Sequence, residues 1–267
     1  MTTALPTFAR GWCVALALLL ALMPAAGLAA EETMRCALAD GFDFPVGKPD
    51  GEGYYKSRGY YPNGHLGEDW NGKGGGNTDL GSPIYSIARG VVVISDDFAR
   101  GWGNCVIVRH PYRETDGAIR MVDSLYAHLD RRLVRRGDVV QKGQQVGTMG
   151  SNRGMYMVHL HLEIRKNLKI GMNRPLFARN NTNYFSPTDF IRKHRQLSSG
   201  LLKVAVPMAG FAPYGKTLPS EDSGSRRKPA PSAPEGSPGP SDDDEDFWSK
   251  LRDRLRRSQI TPGTSSP

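Results

Sequence analysis

MYMVHLHLEI, residues 155–164, alternates apolar side chains with two histidines and a glutamate. An alternation of period two is that of a β-strand, whose side chains at i, i+2 and i+4 share one face. Val158, Leu160, Leu162 and Ile164 then face a core. His159, His161 and Glu163 face the other side, and two imidazoles enter one space. Two readings stand at this point: a half-exposed strand whose outer face holds polar residues, or a metal or acid/base site.

Working outward, similar short runs fill the middle of the chain: PIYSI at 83–87, GVVVISD at 90–96, NCVIVRH at 104–110, MVDSLYAHL at 121–129 and VVQKGQQVGTMG at 139–150. Turn signals separate them, among them Gly101 and Gly103, Asp116-Gly117 and Gly137-Asp138. Long helical patterns are few. The expectation is a mostly β protein: a single antiparallel β-sheet domain over 31–200 with a glycine-rich groove, closed by one C-terminal helix from Pro187 that Thr188 or Asp189 caps. A stretch of this length buries about two-thirds of its unfolded surface, so one domain suffices.

The ends differ in kind. Residues 1–30 carry one charge, Arg10, then an apolar run from Trp12 to Met23 and small residues up to Ala30. That is the pattern of a secretory signal peptide, and it points to export into the periplasm or cell envelope; the competing reading is an uncleaved N-terminal anchor, which Pro24 and Gly27 interrupt. Residues 201–245 are read as a Pro/Ser/Gly-rich, mixed-charge linker without the apolar residues needed for order. Residues 246–258 place Phe247, Trp248, Leu251 and Leu255 about one helical turn apart among arginines. They predict a basic amphipathic helix suited to an anionic membrane or wall polymer. The formal charge of +8, or +7 without Arg10, is assigned to such an envelope surface and not to nucleic acid. Export leaves Cys36 and Cys105, an even pair open to a disulfide or to two free thiols, and no CxxC is present.

Four other histidines compete to join His159 and His161. His110 precedes Pro111 and reads as a turn residue at a strand end; His194 lies on the closing helix and reads as solvated. His65 lies in NGHLGEDWNG, whose glycines argue against a helix; a loop running into a strand turns His65 and Asp69 toward one point. His128, in LYAHLD, is expected to share a strand face with Tyr126. Histidine nitrogen and carboxylate oxygen are ordinary zinc ligands, yet each piece alone is a weak signal.

In order along the chain, HxGxD at 65–69, YxHL at 126–129, the segment GDVVQKGQQVG at 137–147 and HLHLE at 159–163 resemble the LytM/lysostaphin-type zinc metallopeptidases of family M23. The resemblance covers about Gly64 to Ile164. It implies that His65, Asp69 and His161 hold one Zn2+ and that His128 and His159 are the catalytic histidines. It implies a zinc-dependent endopeptidase that hydrolyses peptide crosslinks of bacterial peptidoglycan, with a water activated by zinc and assisted by the two histidines. The alternative is a non-catalytic module on the same scaffold that binds peptidoglycan or activates a partner amidase, as relatives that have lost ligands do. One departure is Trp70, where an aliphatic residue is more usual, a change expected to reshape the groove floor. The long loop from Trp70 to Asp79 is a second feature with the potential to block the site. Glu163 is a candidate acceptor that orients one of the histidines, or else a solvated charge. The chain has no HExxH, and the PCxxC half of a zinc deaminase signature is missing, which leaves HLE without that meaning.

Overall fold

Strand β11, Leu160–Arg165, is the centre of the protein: it carries HLHLE and is buried on both faces. In the computed structural model, which describes residues 32–98, 101–199 and 202–209, the strands in chain order are β1 Thr33–Ala37, β2 Tyr54–Arg58, β3 Glu68–Gly72, β4 Pro83–Tyr85, β5 Gly90–Asp97, β6 Asn104–Arg113, β7 Ile119–Leu129, β8 Arg131–Arg132, β9 Val139–Val140, β10 Gln145–Thr148, β11, β12 Tyr184–Phe185 and β13 Lys203–Pro207. The fold is mostly β and its named pairings are antiparallel, as the alternation predicts. The largest sheet runs β2-β3-β11-β7-β6-β5-β9, with β12 also on β11; β4-β10-β8 form a second sheet and β1-β13 a third.

Burial follows from this layering. One face of the main sheet gives Val92, Val106, Val108, Tyr126, Leu160, Leu162 and Ile164 to a core shared with Ile84 and Val146 of the small sheet and with Phe190. The other face gives Val91, Val93, Cys105, Ile107, Leu125 and Ala127 to a second cluster, closed by Cys36 and Val206 of the β1-β13 ribbon. Central strands covered on both faces read as near-continuous apolar runs, which is the character of GVVVI and CVIV.

The ribbon corrects the expected boundary at residue 200, because β13 lies beyond it and pairs with β1 from Thr33↔Pro207 to Ala37↔Lys203. The disulfide does not form: Cys36 and Cys105 are buried free thiols, and burial in the second cluster pushes both thiol pKa values up. Helix α1, Pro187–Lys193, follows Ser186 as its N-cap. Thr188 is inside the helix, where its N–H and hydroxyl donate to the buried Glu68 carboxylate of β3 at 3.2 and 2.6 Å. A carboxylate near the first turn suits the helix dipole.

Two histidines are also placed differently from expectation. His110 is buried within β6, between the Arg89 carbonyl at 3.0 Å and Ser124 Oγ at 2.7 Å. His194 is buried at the end of α1, where Nε2 meets the Glu114 carboxylate at 3.1 Å. Both rings are fastened by both of their nitrogens. The signal segment, the linker beyond residue 209 and the basic helix lie outside the described residues. Among the described residues, no helix is long and apolar enough to cross a membrane.

Candidate metal centre

The HxGxD segment reaches the site as a loop that becomes a strand. Asp69 sits in β3 directly opposite His161 of β11, so the two share a sheet face. His65 arrives from the loop just before. Gly67 is required there: a Cβ on it would lie 2.4 Å from the Leu162 carbonyl oxygen and 2.9 Å from the His161 ring. Trp70, next along the strand, points to the opposite face. It is buried in the main core, with its ring 5.3 Å from Phe44, so it does not form the groove floor. The loop that follows is tied beside His159, since Asn71 Nδ2 donates to the Val158 carbonyl at 2.7 Å and the Val158 N–H donates to Asn77 Oδ1 at 2.8 Å.

Three atoms converge. His65 Nε2 is 3.1 Å from His161 Nδ1 and 3.1 Å from Asp69 Oδ1, and His161 Nδ1 is 2.9 Å from Asp69 Oδ1. The outer nitrogens fix which atoms are lone pairs. His65 Nδ1 faces the Gly59 carbonyl at 2.9 Å and must donate to it. His161 Nε2 faces the Glu163 carboxylate at 3.2 Å and donates there. In the neutral imidazoles the inner nitrogens are then acceptors. With both rings neutral, two nitrogen lone pairs and a carboxylate oxygen aim at one point, an arrangement that a metal ion resolves and that a proton between His161 and Asp69 resolves in its place. A point about 2 Å from all three atoms, the ordinary zinc–nitrogen and zinc–oxygen distance, lies just off their plane. Among the described residues these three form a group able to hold a metal ion.

The electrostatics agree. Burial works against the Asp69 carboxylate, but the contacts of His161 and His65 with it hold its pKa well below the usual range. Burial likewise opposes a charged His161, yet bonds to Asp69 and Glu163 lift its pKa to about 9. The ion-free site therefore gathers a proton where a metal ion would otherwise supply the charge. Glu163 is not a solvated charge. It is fully buried, burial is outweighed by Arg165 and His161, and its carboxyl stays ionised, with Arg165 Nε donating at 2.7 Å.

His128 and His159 complete the cluster. Their rings lie 4.8 Å apart, and that of His128 is 5.8 Å from His161. His159 Nε2 is 3.8 Å from Asp69 Oδ1. Each Nδ1 is taken by a backbone carbonyl, that of Met157 at 2.8 Å and that of Trp102 at 3.3 Å, which leaves each Nε2 as the exchanging nitrogen. Burial lowers both pKa values, that of His128 strongly. His128 does not share a face with Tyr126, whose ring is in the main core. A register shift between Asn104 and Val106 opposes this part of β7, and His128 takes φ 61°. That left-handed residue turns the ring to the side of His159. The five predicted side chains are thus all brought together, at 5–8% exposure.

Two contributors escaped the sequence reading: the Trp102 carbonyl and Arg165. Arg165 carried a signal, because it extends the His161, Glu163 alternation by one step. Trp102 comes from a distant loop and carried none.

This chain belongs to peptidase family M23, and the match to that family spans residues 64–173. Lipoprotein NlpD of Yersinia enterocolitica is 40% identical over 85 residues, covering 32% of this chain and 78% of that protein. The murein hydrolase activator NlpD of Escherichia coli K12 is 36% identical over 104 residues, 37% of this chain and 25% of that one. The chain thus spans about a quarter of the length of that relative. Among solved structures, the antimicrobial peptidase lysostaphin from Staphylococcus simulans is 28% identical with a TM-score of 0.38, covering 53% of this chain and 50% of that one.

Proposed function

We propose that the protein is a zinc-dependent endopeptidase of the bacterial envelope that hydrolyses peptide crosslinks of peptidoglycan. The observation that carries this is the convergence of His65 Nε2, His161 Nδ1 and Asp69 Oδ1 with both imidazole tautomers set from behind. These three residues would hold one Zn2+, which when bound polarises a peptide carbonyl and lowers the pKa of water to about 7. His128 and His159, neutral because they are buried, present Nε2 toward the same space. His159, nearer to Asp69, takes the proton of the attacking water at Nε2 and returns it to the leaving amine. His128, whose Nδ1 is held by the Trp102 carbonyl, accepts a hydrogen bond from the same water at Nε2 and orients it. The Trp102 and Met157 carbonyls hold the two rings at that angle.

An envelope location is consistent with the signal pattern of residues 1–30 and with relatives named as lipoproteins. The proposed ligands of the chain are one zinc ion and a peptidoglycan peptide, with the basic segment at 246–258 as a contact for anionic membrane or wall polymer. A second reading is favoured by the relatives named murein hydrolase activators: a module that stimulates a partner amidase.

The test is to incubate the mature protein with purified sacculi, analyse released muropeptides by mass and measure bound zinc. One equivalent of zinc and cleaved crosslinks are expected, and His161→Ala should lose both. A His161→Ala protein that keeps its zinc and cleaves normally would sink the metal assignment. Zinc-loaded protein that releases nothing, yet speeds an added amidase, would establish the second reading.

A further inference from the structure

Arg174 stands one residue past the stretch that matches the family and is not used by the chemistry above. It opens the short turn Arg174–Leu176, and its guanidinium lies beside both histidine ligands. Nη1 is 3.7 Å from Glu163 Oε1, the carboxylate that holds His161. Nη2 is 3.5 Å from the carbonyl oxygen of Gly64, the residue before His65. Cζ is 5.5 Å from the centre of the Trp102 ring, which itself lies 5.9 Å from the His161 ring. The side chain is 18% exposed.

These contacts hold the group in place without consuming it. Charge-assisted hydrogen bonds to arginine run at about 2.7–2.9 Å, and both polar contacts of Arg174 are longer. Glu163 is already matched by Arg165 Nε at 2.7 Å and His161 Nε2 at 3.2 Å. Stacking on an indole fixes the plane of a guanidinium while leaving its edge N–H groups directed outward. The local charge count points the same way. Asp69 and Glu163 are balanced by Arg165 and Arg174, so a divalent ion on His65, Asp69 and His161 leaves the cleft with a positive excess. Arg179 adds to it, donating to the same Gly64 carbonyl at 3.2 Å while its Nε has no partner. A cleft of one sign draws in a ligand of the other, and the planar fork of an arginine fits a carboxylate with two parallel bonds.

We propose that Arg174, seated on Trp102 beside the metal centre, reads a free carboxylate next to the scissile bond of the peptide. The substrates are then crosslinked peptides that carry such a carboxylate, in preference to uncharged bridges such as polyglycine. This rests on the endopeptidase reading, and the experiment separates the two.

Two synthetic crosslinked stem peptides differ only in bearing a carboxylate or a carboxamide beside the crosslink amide. Kd is measured in the cold with zinc-loaded protein, and KM and kcat are measured at working temperature. Wild type should bind and use the carboxylate peptide about tenfold better or more, the usual worth of a hydrogen bond to a charged group. Arg174→Gln should erase the preference, keep one equivalent of zinc and leave the carboxamide peptide within about twofold. Arg174→Lys should keep part of the preference, since charge remains and the fork is lost. Equal weakening of both peptides by Arg174→Gln would make Arg174 only a counter-ion of Glu163 and overturn the proposal. Should that variant fail to fold, equal affinity of wild type for the two peptides overturns it as well. Preferential binding without hydrolysis would uphold the subsite and refute the endopeptidase reading. Equal hydrolysis of both peptides would do the reverse.

Discussion

His128 is the one histidine of the cluster held in the left-handed region, at φ 61°. For a residue with a Cβ that conformation costs about 1 kcal/mol or more, and what it achieves is to bring Nε2 to the side of His159. His128→Ala should therefore keep its zinc and lose about 10²–10⁴-fold in rate, the usual worth of a positioned acid/base group. His128→Gly should lose the same rate but be more stable than His128→Ala by about 1 kcal/mol in chemical denaturation; equal stabilities would show that the backbone there is unstrained. His161 carries a different signature. In the ion-free protein its pKa is about 9, so at pH 7 a metal ion must expel a proton to bind. Zinc affinity should then rise with pH up to about 9, with close to one proton released per ion at pH 7, read by calorimetry in buffers of different ionisation heat. The raised value also means that ion-free protein has this stabilisation in full below pH 6.5 and loses it as the pH climbs through about 9. Zinc binding with no proton release at pH 7 would contradict the hydrogen-bonded pair of His161 and Asp69.

The strand that carries the site has two kinds of burial, and only one was legible from its sequence. Leu160, Leu162 and Ile164 alternate as a core face should, and they are core. The polar face looked half-exposed because, although Arg165 stands two residues from Glu163, nothing nearby in sequence shows that Asp69 meets His161 from β3 or that Arg109 and Asp123 pair at 2.8 and 2.9 Å across β6 and β7. These charges are buried because they satisfy one another, and such partnership is a property of the sheet. The same limit explains His128: the period-two rule fails where one strand carries an extra residue, and no turn signal marks that place. It explains His110 and His194 too, whose partners come from other elements. The motifs HxGxD, YxHL and HLHLE, through the family they resemble, pointed to five residues that the structure places together, because each motif is local to one strand or loop. Glu163 gives the element-scale prediction. Holding a ligand imidazole from behind fixes its tautomer, and losing such a partner typically costs 10–100-fold in metal affinity. Glu163→Gln keeps the shape, but its amide can present its NH2 to His161. Zinc should dissociate about 10–100-fold more readily in chelator competition, and unchanged retention would remove Glu163 from the metal centre.

At the scale of the molecule, the two ends of the described chain are one structural unit. β1 and β13 pair across some 170 residues of sequence, and they close the second apolar cluster with Cys36, Val206 and Met208. Arg109, buried against Asp123, also donates to the Pro207 carbonyl at 2.7 Å. The sequence reading ended the domain at residue 200 although the run of Pro, Ser, Gly and charge begins only near Ser220; LKVAVPM, at 202–208, is a short apolar island before that run, and only its pairing with residues 33–37 shows that it belongs to the fold. Two truncations separate these views. Removing everything after residue 209 leaves the ribbon whole and should leave melting temperature and hydrolysis of small soluble muropeptides unchanged. If the basic segment at 246–258 binds anionic surfaces, worth about 1 kcal/mol per basic residue near the surface, that protein should also bind sacculi less in low salt. Removing everything after residue 200 strips β13, exposes the faces of Cys36 and Ile107 and leaves Arg109 short of an acceptor. At about 2–5 kcal/mol for a large buried aliphatic side chain lost from a core, loss of Val206 and Met208 alone should cost at least about 3 kcal/mol. A protein ending at residue 200 that melts with the full chain would show that the ribbon adds nothing and would restore the boundary at 200.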